Sequence, residues 1–223
     1  MKFRNEWKHE ITFSDMVTLR QRMRVVAKPE THGIGGKYHI RSLYFDDIYD
    51  TALREKINGV NCREKFRLRY YEKDTSFIRL EKKSKINGLC NKQQAVVSER
   101  EVERILSGDV KWMISDEREL LRELYFKMNT KGLLPKTIVD YTREAFVFPA
   151  GNVRVTFDYD IRTGLKSVDF LNPNSLTTPA IYNGIILEVK RDEYLPDIIR
   201  SAVSLDGRRT SAFSKYAVCR AYD

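Results

Sequence analysis

The sequence predicts an α+β fold in which antiparallel strands carry one charged and one apolar face, with amphipathic helices covering the apolar one. Two observations lead there. Charged residues recur at i, i+2 spacing near residues 6–10, 67–69, 79–83, 154–158 and 188–190, with apolar residues at the opposing positions. Between these segments lie stretches with apolar residues at helical spacing. The pattern leaves two architectures open: a sheet whose charged face meets water, or a closed barrel whose charged face lines the interior. A lumen of many cations and few carboxylates is costly when empty, and that cost is offset by water, ion pairs and a bound polyanion.

In chain order, residues 5–13 alternate as a first strand, with Glu6, Lys8 and Glu10 on one face and Trp7, His9 and Ile11 on the other. Ser14 is expected to cap a helix whose Met16, Leu19, Met23 and Val26 form a core stripe. Pro29–Lys37 is a loop containing GIGGK; it lacks the G-x-x-x-x-G-K-[ST] pattern of a phosphate-binding loop, and Tyr38 follows the lysine. Residues 38–45 form a second strand ending at Asp46-Asp47, followed by a short helix with Tyr49, Ala52, Leu53 and Ile57 that stops at Asn58-Gly59.

Cys62–Lys85 reads as a hairpin turning at Glu72-Lys73-Asp74. Alternation puts Arg67 and Arg69 on one face and Phe66, Leu68 and Tyr70 on the other; in the second strand Arg79, Glu81 and Lys83 oppose Ile78 and Leu80. Asn87-Gly88 turns the chain into a strand near Asn91–Val97 that carries Lys92. Ser98 and Glu101 make a capping box for a helix with Val102, Ile105 and Leu106. A second helix is expected from Ser115, burying Leu120, Leu121, Leu124, Tyr125 and Met128. Strands follow at 136–148, with Tyr141 and Arg143, and at 152–161, where Arg154, Thr156 and Asp158 share a face. Residues 165–183 read as an irregular, mobile loop. Residues 184–191 pair Glu188 and Lys190 against Leu187 and Val189, Pro196 opens a helix with Ile198, Ile199, Ala202 and Val203, and Arg208-Arg209 and Ser214-Lys215-Tyr216 close the chain.

Composition narrows the function. Of 223 residues, 32% are charged and the net charge is +9, which points to a polyanionic partner. The 31 acidic residues are interspersed with the basic ones, against a simple nucleic-acid glove. Cys62, Cys90 and Cys219 show no C-x-x-C spacing and read as reduced thiols without a metal role. His9, His32 and His39 read as structural or surface residues. No apolar run approaches the ~18 residues of a transmembrane span, and MKFRNEWKHE has no signal-peptide core, so a cytoplasmic protein is expected. Without repeats, low-complexity stretches or linkers, residues 1–223 read as a single domain.

Eight motifs, in order along nearly the whole chain, resemble one family: WKHEI at 7–11, SLYFD at 42–46, FRLRYY at 66–71, LEKK at 80–83, YTREAF at 141–146, VRVTFD at 153–158, LEVK at 187–190 and FSKY at 213–216. The family is the catalytic domain of the vacuolar transporter chaperone (VTC) complex, the ATP-dependent polyphosphate polymerase of the triphosphate tunnel metalloenzyme, or CYTH-like, superfamily. The resemblance implies a closed antiparallel β-barrel tunnel of about eight strands with a charged lumen, flanked by helices. Family members from eukaryotes carry a phosphate-sensing domain and membrane helices; this chain resembles a freestanding, bacterial-type version.

Carried over by position, the resemblance implies that Lys8, Arg67, Arg69, Lys83, Arg143, Arg154 and Lys215 grip the phosphates. It implies further substrate contacts from Lys92, Ser214, Tyr44 and Arg79, and a metal-binding role for Glu188, with Lys92 in a segment, GLCNKQQ, that matches only loosely. Arginine binds phosphate oxygens bidentately, lysine supplies compact charge, and Mn²⁺ or Mg²⁺ takes hard carboxylate oxygen. Glu6, Glu10 and Glu81 are expected to orient the basic groups or assist the metal. Three functions follow as expectations: a polymerase moving the terminal phosphate of ATP onto polyphosphate, a hydrolase of tripolyphosphate or a related triphosphate, and a non-catalytic polyanion-binding module. For the last, RLRYY would have to present arginines and aromatics together, and the aromatics are expected on the strand face opposite the arginines.

Overall fold

The charged alternation becomes one continuous antiparallel sheet. The computed structural model describes residues 4–221 apart from 32, 34, 35, 206, 208 and 209, so His32, part of GIGGK and the Arg208-Arg209 pair lie outside the described residues. In chain order the elements are β1 (Asn5–Ile11), α1 (Phe13–Val26), β2 (Lys28–Pro29), β3 (Lys37–Asp46), α2 (Thr51–Ile57), β4 (Cys62–Tyr71), β5 (Asp74–Ile86) and β6 (Leu89–Val97). Then come α3 (Glu99–Leu106), a 3₁₀ turn (Lys111–Ser115), α4 (Glu119–Lys131), β7 (Leu134–Phe148), β8 (Val153–Thr163), β9 (Thr178–Pro179), β10 (Ile185–Arg191), α5 (Asp197–Val203) and α6 (Lys215–Arg220).

The hydrogen-bonded order is β1-β10-β8-β7-β3-β4-β5-β6, with the two-residue β2 on β7 and β9 on β8. The sheet thus has ten strands, eight of them on the main path. The expected closure is not made by a ladder. β1 and β6 end the order, and among the described residues their backbones meet at an isolated bridge, where the Arg4 N–H donates to the Cys90 carbonyl at 3.4 Å. Side chains reinforce this seam: Lys83 on β5 reaches Glu6 on β1 at 2.9 Å.

Local chemistry sets the elements. Glu72 and Lys73 have φ of 52° and 61°, and Asn87 and Gly88 48° and 87°, the paired left-handed geometry whose twist suits a two-residue hairpin. The capping box of Ser98 and Glu101 forms at α3. At α1 the cap is Thr12 rather than Ser14: the Thr12 hydroxyl accepts from the Asp15 N–H, and the Asp15 carboxylate from the Thr12 N–H. α4 begins at Glu119, not Ser115, because the chain first makes the 3₁₀ turn that Ser115 ends. In and before α2, Tyr49 and Ile57 are exposed, so the expected stripe there reduces to Ala52 and Leu53.

On the outer face, Phe66, Leu68 and Tyr70 of β4 and Ile78 and Leu80 of β5 pack under α3 and α4. Val155, Phe157, Leu187 and Val189 pack under α1 and α5. A third cluster lies on the inner face, where Tyr44, Tyr141 and Ile186 meet Tyr216 and Cys219 of α6. Buried Asp46 ties this corner together, accepting from the N–H groups of Ala52 and Leu53 and, at 2.8 Å, from the Tyr216 hydroxyl. The segment 165–183, expected to be mobile, is anchored. Phe170 is buried against the Tyr70 ring at 4.9 Å, and Arg41 donates to the carbonyls of Asn172 and Ser175. No helix among the described residues is long and apolar enough to cross a membrane.

Candidate functional site

Strand alternation and register turn the charged rows toward a cavity of about 1050 Å³ that all eight long strands line. The twelve residues singled out from the sequence all border it. β1 supplies Lys8, β3 Tyr44, and β4 Arg67 and Arg69. β5 brings Arg79 and Lys83, and β6 brings Lys92. Arg143, Arg154 and Glu188 come from β7, β8 and β10, while Ser214 and Lys215 come from the start of α6.

Four buried or half-buried carboxylates among these side chains each serve more than one cation. Glu81, opposite Arg67 in the β4–β5 register, accepts from Arg67 Nε at 2.8 Å and Lys92 Nζ at 2.6 Å, with Arg69 at 3.8 Å. Asp158 receives Arg143 through two bonds, at 2.6 and 2.7 Å, and Lys215 at 2.5 Å. Glu188 lies 2.7 Å from Lys190, 3.8 Å from Lys8 and 4.0 Å from Arg143. Glu6 faces Lys8 at 2.8 Å and Lys83 at 2.9 Å. Neutral groups complete the grip: Arg67 donates to the Tyr44 hydroxyl, and Arg69 to Ser42 Oγ and the Tyr141 hydroxyl. Ser214 caps α6, its Oγ accepting from the Ala217 N–H. Arg154 is held by Glu30 and Tyr38.

The electrostatics record a cation excess. Burial alone would raise the Glu81 carboxyl, yet Arg67, Arg69 and Lys92 hold it far below the usual carboxylate range. Glu188 is depressed in the same way, against burial, by Lys190, Lys8 and Arg143. Asp158 is lowered to about 2 against burial by Arg143 and Lys215. Two lumen lysines move the other way. Burial pushes the Lys65 ammonium down to about 7, against the Tyr44 oxygen and with Lys83, Arg67 and Lys8 reinforcing. Lys190 falls to about 8 through burial and the nearby Lys83 and Arg143, although Glu188 opposes the shift. The Tyr44 phenol, raised by burial, is brought down to about 7 by Arg67, Lys65 and Arg69. A lysine and a tyrosine that surrender protons near neutrality mark a space with more positive charge than its carboxylates balance.

Four lysines that border the cavity went unassigned from the sequence, Lys56, Lys65, Lys85 and Lys190, and Lys65 and Lys190 lie deepest in it by burial. Both sit two residues from an assigned position, Arg67 and Glu188, so strand parity alone would have found them. RLRYY also reads differently in space: Tyr70 faces the outer core, but Tyr71 lies on the arginine face, so aromatic and cationic groups do meet along β4. Among the described residues no group of three or more His, Cys, Asp or Glu side chains converges as a metal cage. In the lumen Glu188 and Glu6 share Lys8. This donor set fits only a cation that draws its remaining ligands from bound phosphate and water, the usual habit of Mg²⁺.

Fold and lumen together define an α+β protein whose antiparallel sheet carries a cation-rich cavity on its inner face. The chain belongs to the VTC domain family, whose pattern matches residues 3–222. No curated protein sequence matches it. Among solved structures, it resembles "a putative adenylate cyclase (bh2851)" from Bacillus halodurans, with 11% identity, a TM-score of 0.51, and 85% of this chain and 80% of that one covered. It also resembles the PH1012 protein of Pyrococcus horikoshii, with 13% identity, a TM-score of 0.50, and 96% and 98% covered. At such identities the likeness is one of fold.

Proposed function

We propose that the protein is a polyphosphate polymerase that transfers the terminal phosphate of ATP onto a growing polyphosphate chain inside the lumen. The carrying observation is that the carboxylates of Glu81, Asp158 and Glu188 are each shared among two or three cations while Lys65 has, among the described residues, no carboxylate partner, which leaves the lumen short of negative charge. A densely charged phosphate chain supplies that charge from all sides at once. Membership of the VTC domain family supports the polymerase direction.

In the transfer, a terminal oxygen of polyphosphate forms a bond to the γ-phosphorus of ATP as the β,γ-bridging P–O bond breaks and ADP leaves. The attacking oxygen is already anionic, so no serine, cysteine or histidine nucleophile and no general base are required. Catalysis rests on positioning and charge neutralisation. Arg67 and Arg69 converge from β4 with Arg143 from β7 to hold equatorial phosphate oxygens through paired N–H donors, with Lys8, Lys83, Lys92 and Lys215 adding point charges. Arg154 and Arg79 lie toward the end of the cavity formed by the β4–β5 turn. A bound Mn²⁺ or Mg²⁺ would be held by Glu188, with Glu6 nearby, and would supply charge neutralisation between phosphates. We place this activity in the cytoplasm.

Incubation of the purified protein with ATP and Mn²⁺, followed by gel electrophoresis of the products, tests the reading. A polyphosphate ladder with matching ADP release supports it. Orthophosphate without a ladder makes the protein a triphosphate hydrolase, and no turnover with retained tripolyphosphate binding makes it a polyanion-binding module.

A further inference from the structure

The two ends of the lumen differ in chemistry. Along β4 the inward row runs Arg63, Lys65, Arg67 and Arg69 and ends at Tyr71; along β5 it begins at Phe77 and continues through Arg79, Glu81 and Lys83 to Lys85. The register pairs Arg63 with Lys85 and Tyr71 with Asp74, so both rows change from cationic to aromatic toward the same hairpin turn. At about 3.3 Å per residue the two ends of the β4 row lie about 26 Å apart. Exposed residues border the cavity at each end, Gly88 at one and Phe77 at the other.

From this asymmetry we infer that the hairpin end holds the nucleoside of a nucleoside triphosphate, its base stacked on Tyr71 and Phe77, with the phosphates lying deeper among the lumen cations. The inference rests on the triphosphate reading above and adds a direction to it. Phe77 is 42% exposed although it stands on a row that is otherwise charged, and it makes no part of the apolar clusters. The Arg79 guanidinium lies 4.8 Å from its ring and 5.8 Å from that of Tyr71, so one cation spans both faces. Rings held this way form a stacking platform tolerant of any base, while Arg79 carries charge toward the first phosphate.

Carboxylates give the same direction. Glu72 and Asp74 border the cavity at the aromatic end, and among the described residues neither has a cation within ion-pair distance. Asp74 accepts from the Ser76 N–H and hydroxyl, and Glu72 from the His39 N–H, leaving lone pairs free on both. A polyphosphate chain leaving past them would be repelled. A neutral nucleoside is not, and its ribose hydroxyls donate to such oxygens. The opposite end, with Arg63 and Lys85, suits the all-phosphate substrate.

Calorimetric titration of ATP and of tripolyphosphate into wild type, Tyr71→Ala/Phe77→Ala and Phe77→Trp, in the same buffer and without metal, tests the inference. The double variant should bind ATP about tenfold or more weakly while tripolyphosphate stays within about twofold, and Phe77→Trp should bind ATP at least as tightly as wild type. Equal weakening of both ligands, or of neither, overturns the nucleoside site while leaving the triphosphate reading standing. Failure of the wild type to bind tripolyphosphate overturns both. Thermal unfolding of each variant establishes that the folded protein was titrated.

Discussion

Two arginine systems stand on opposite faces of neighbouring strands. On the outer face, Arg41 of β3 meets Asp140 of β7 through Nε and a terminal nitrogen at 2.9 and 2.8 Å, and spends its other donors on the carbonyls of Asn172 and Ser175. That pair is closed: one charge answers one charge, and every strong donor direction ends in protein. In the lumen, Arg67, Arg69 and Lys92 divide a single carboxylate, Glu81, and Arg143 and Lys215 divide Asp158. Both systems are buried and both use arginine, so residue type and burial do not separate architecture from binding site. Stoichiometry of charge does. A matched pair fastens the 165–183 segment to the sheet; an unmatched cluster is complete only with a ligand.

Removing the unmatched arginines should have the largest effect, and only on binding. Arg67→Ala with Arg69→Ala deletes several charge-assisted hydrogen bonds, each worth roughly 1.5–3 kcal/mol, so tripolyphosphate affinity by calorimetry should fall about 100-fold or more. The empty protein should stay folded, since the lumen loses like charges and Lys92 still answers Glu81. Breaking the matched pair should do the reverse. Arg41→Ala strands a buried carboxylate, and denaturant unfolding should show a loss of about 3–5 kcal/mol. Tripolyphosphate affinity, measured where the variant is folded, should be unchanged. If the two variants behave alike, the distinction between the faces fails.

Glu188→Gln sharpens the comparison from the acidic side. It keeps the volume but frees Lys190 and Lys8 from a shared partner. Metal-free tripolyphosphate should bind as tightly or more tightly, while Mn²⁺-dependent turnover should fall at least about tenfold. Unchanged turnover would move the metal away from Glu188.

Much of this contrast was legible in the sequence, and the rest was not for physical reasons. Alternation sorted the middle of the β4–β5 hairpin correctly, because Phe66, Leu68 and Tyr70 of β4 and Ile78 and Leu80 of β5 are consecutive apolar residues of one face. It failed on β3, where Arg41 and Asp46 are as buried as Leu43 and Phe45 and no periodicity separates the faces. Anchoring of residues 165–183 depends on Phe170 finding Tyr70, a contact a hundred residues apart in the chain that no local pattern encodes. Thr12 and Ser14 are equivalent as capping residues in composition, and only Asp15 three positions after Thr12 completes the box. The closed barrel expected from the resemblance is not completed by a ladder among the described residues, and the isolated bridge between Arg4 and Cys90 that joins the two ends of the sheet lies outside every charged motif.

The smallest expected effect is a pH dependence of the empty protein. Lys65 near 7 and Lys190 near 8 titrate below an ordinary lysine, and Tyr44 near 7 below an ordinary phenol. Between about pH 7 and 9 the unfolded chain therefore holds more protons than the folded one, and stability rises with pH. Each kcal/mol gained moves the thermal midpoint of a domain this size by about 2–4 °C. A bound polyanion should keep those groups protonated and flatten or reverse the rise. A midpoint that falls steadily from pH 7 to 9 without ligand would mean that the lumen carries no cation excess.

The most direct measurement compares ligands on the wild-type protein. Thermal unfolding is followed at moderate salt with tripolyphosphate and with a single-stranded oligonucleotide at equal total phosphate. A ligand that binds only the folded state raises the midpoint. An open basic surface favours long strands and loses affinity steeply with salt, whereas an enclosing lumen favours a short, dense anion that meets cations from every strand. We expect a clear rise with tripolyphosphate, larger than with the oligonucleotide and persisting as salt is increased; a larger rise with the oligonucleotide, or none with tripolyphosphate, would contradict a lumen built to hold phosphate.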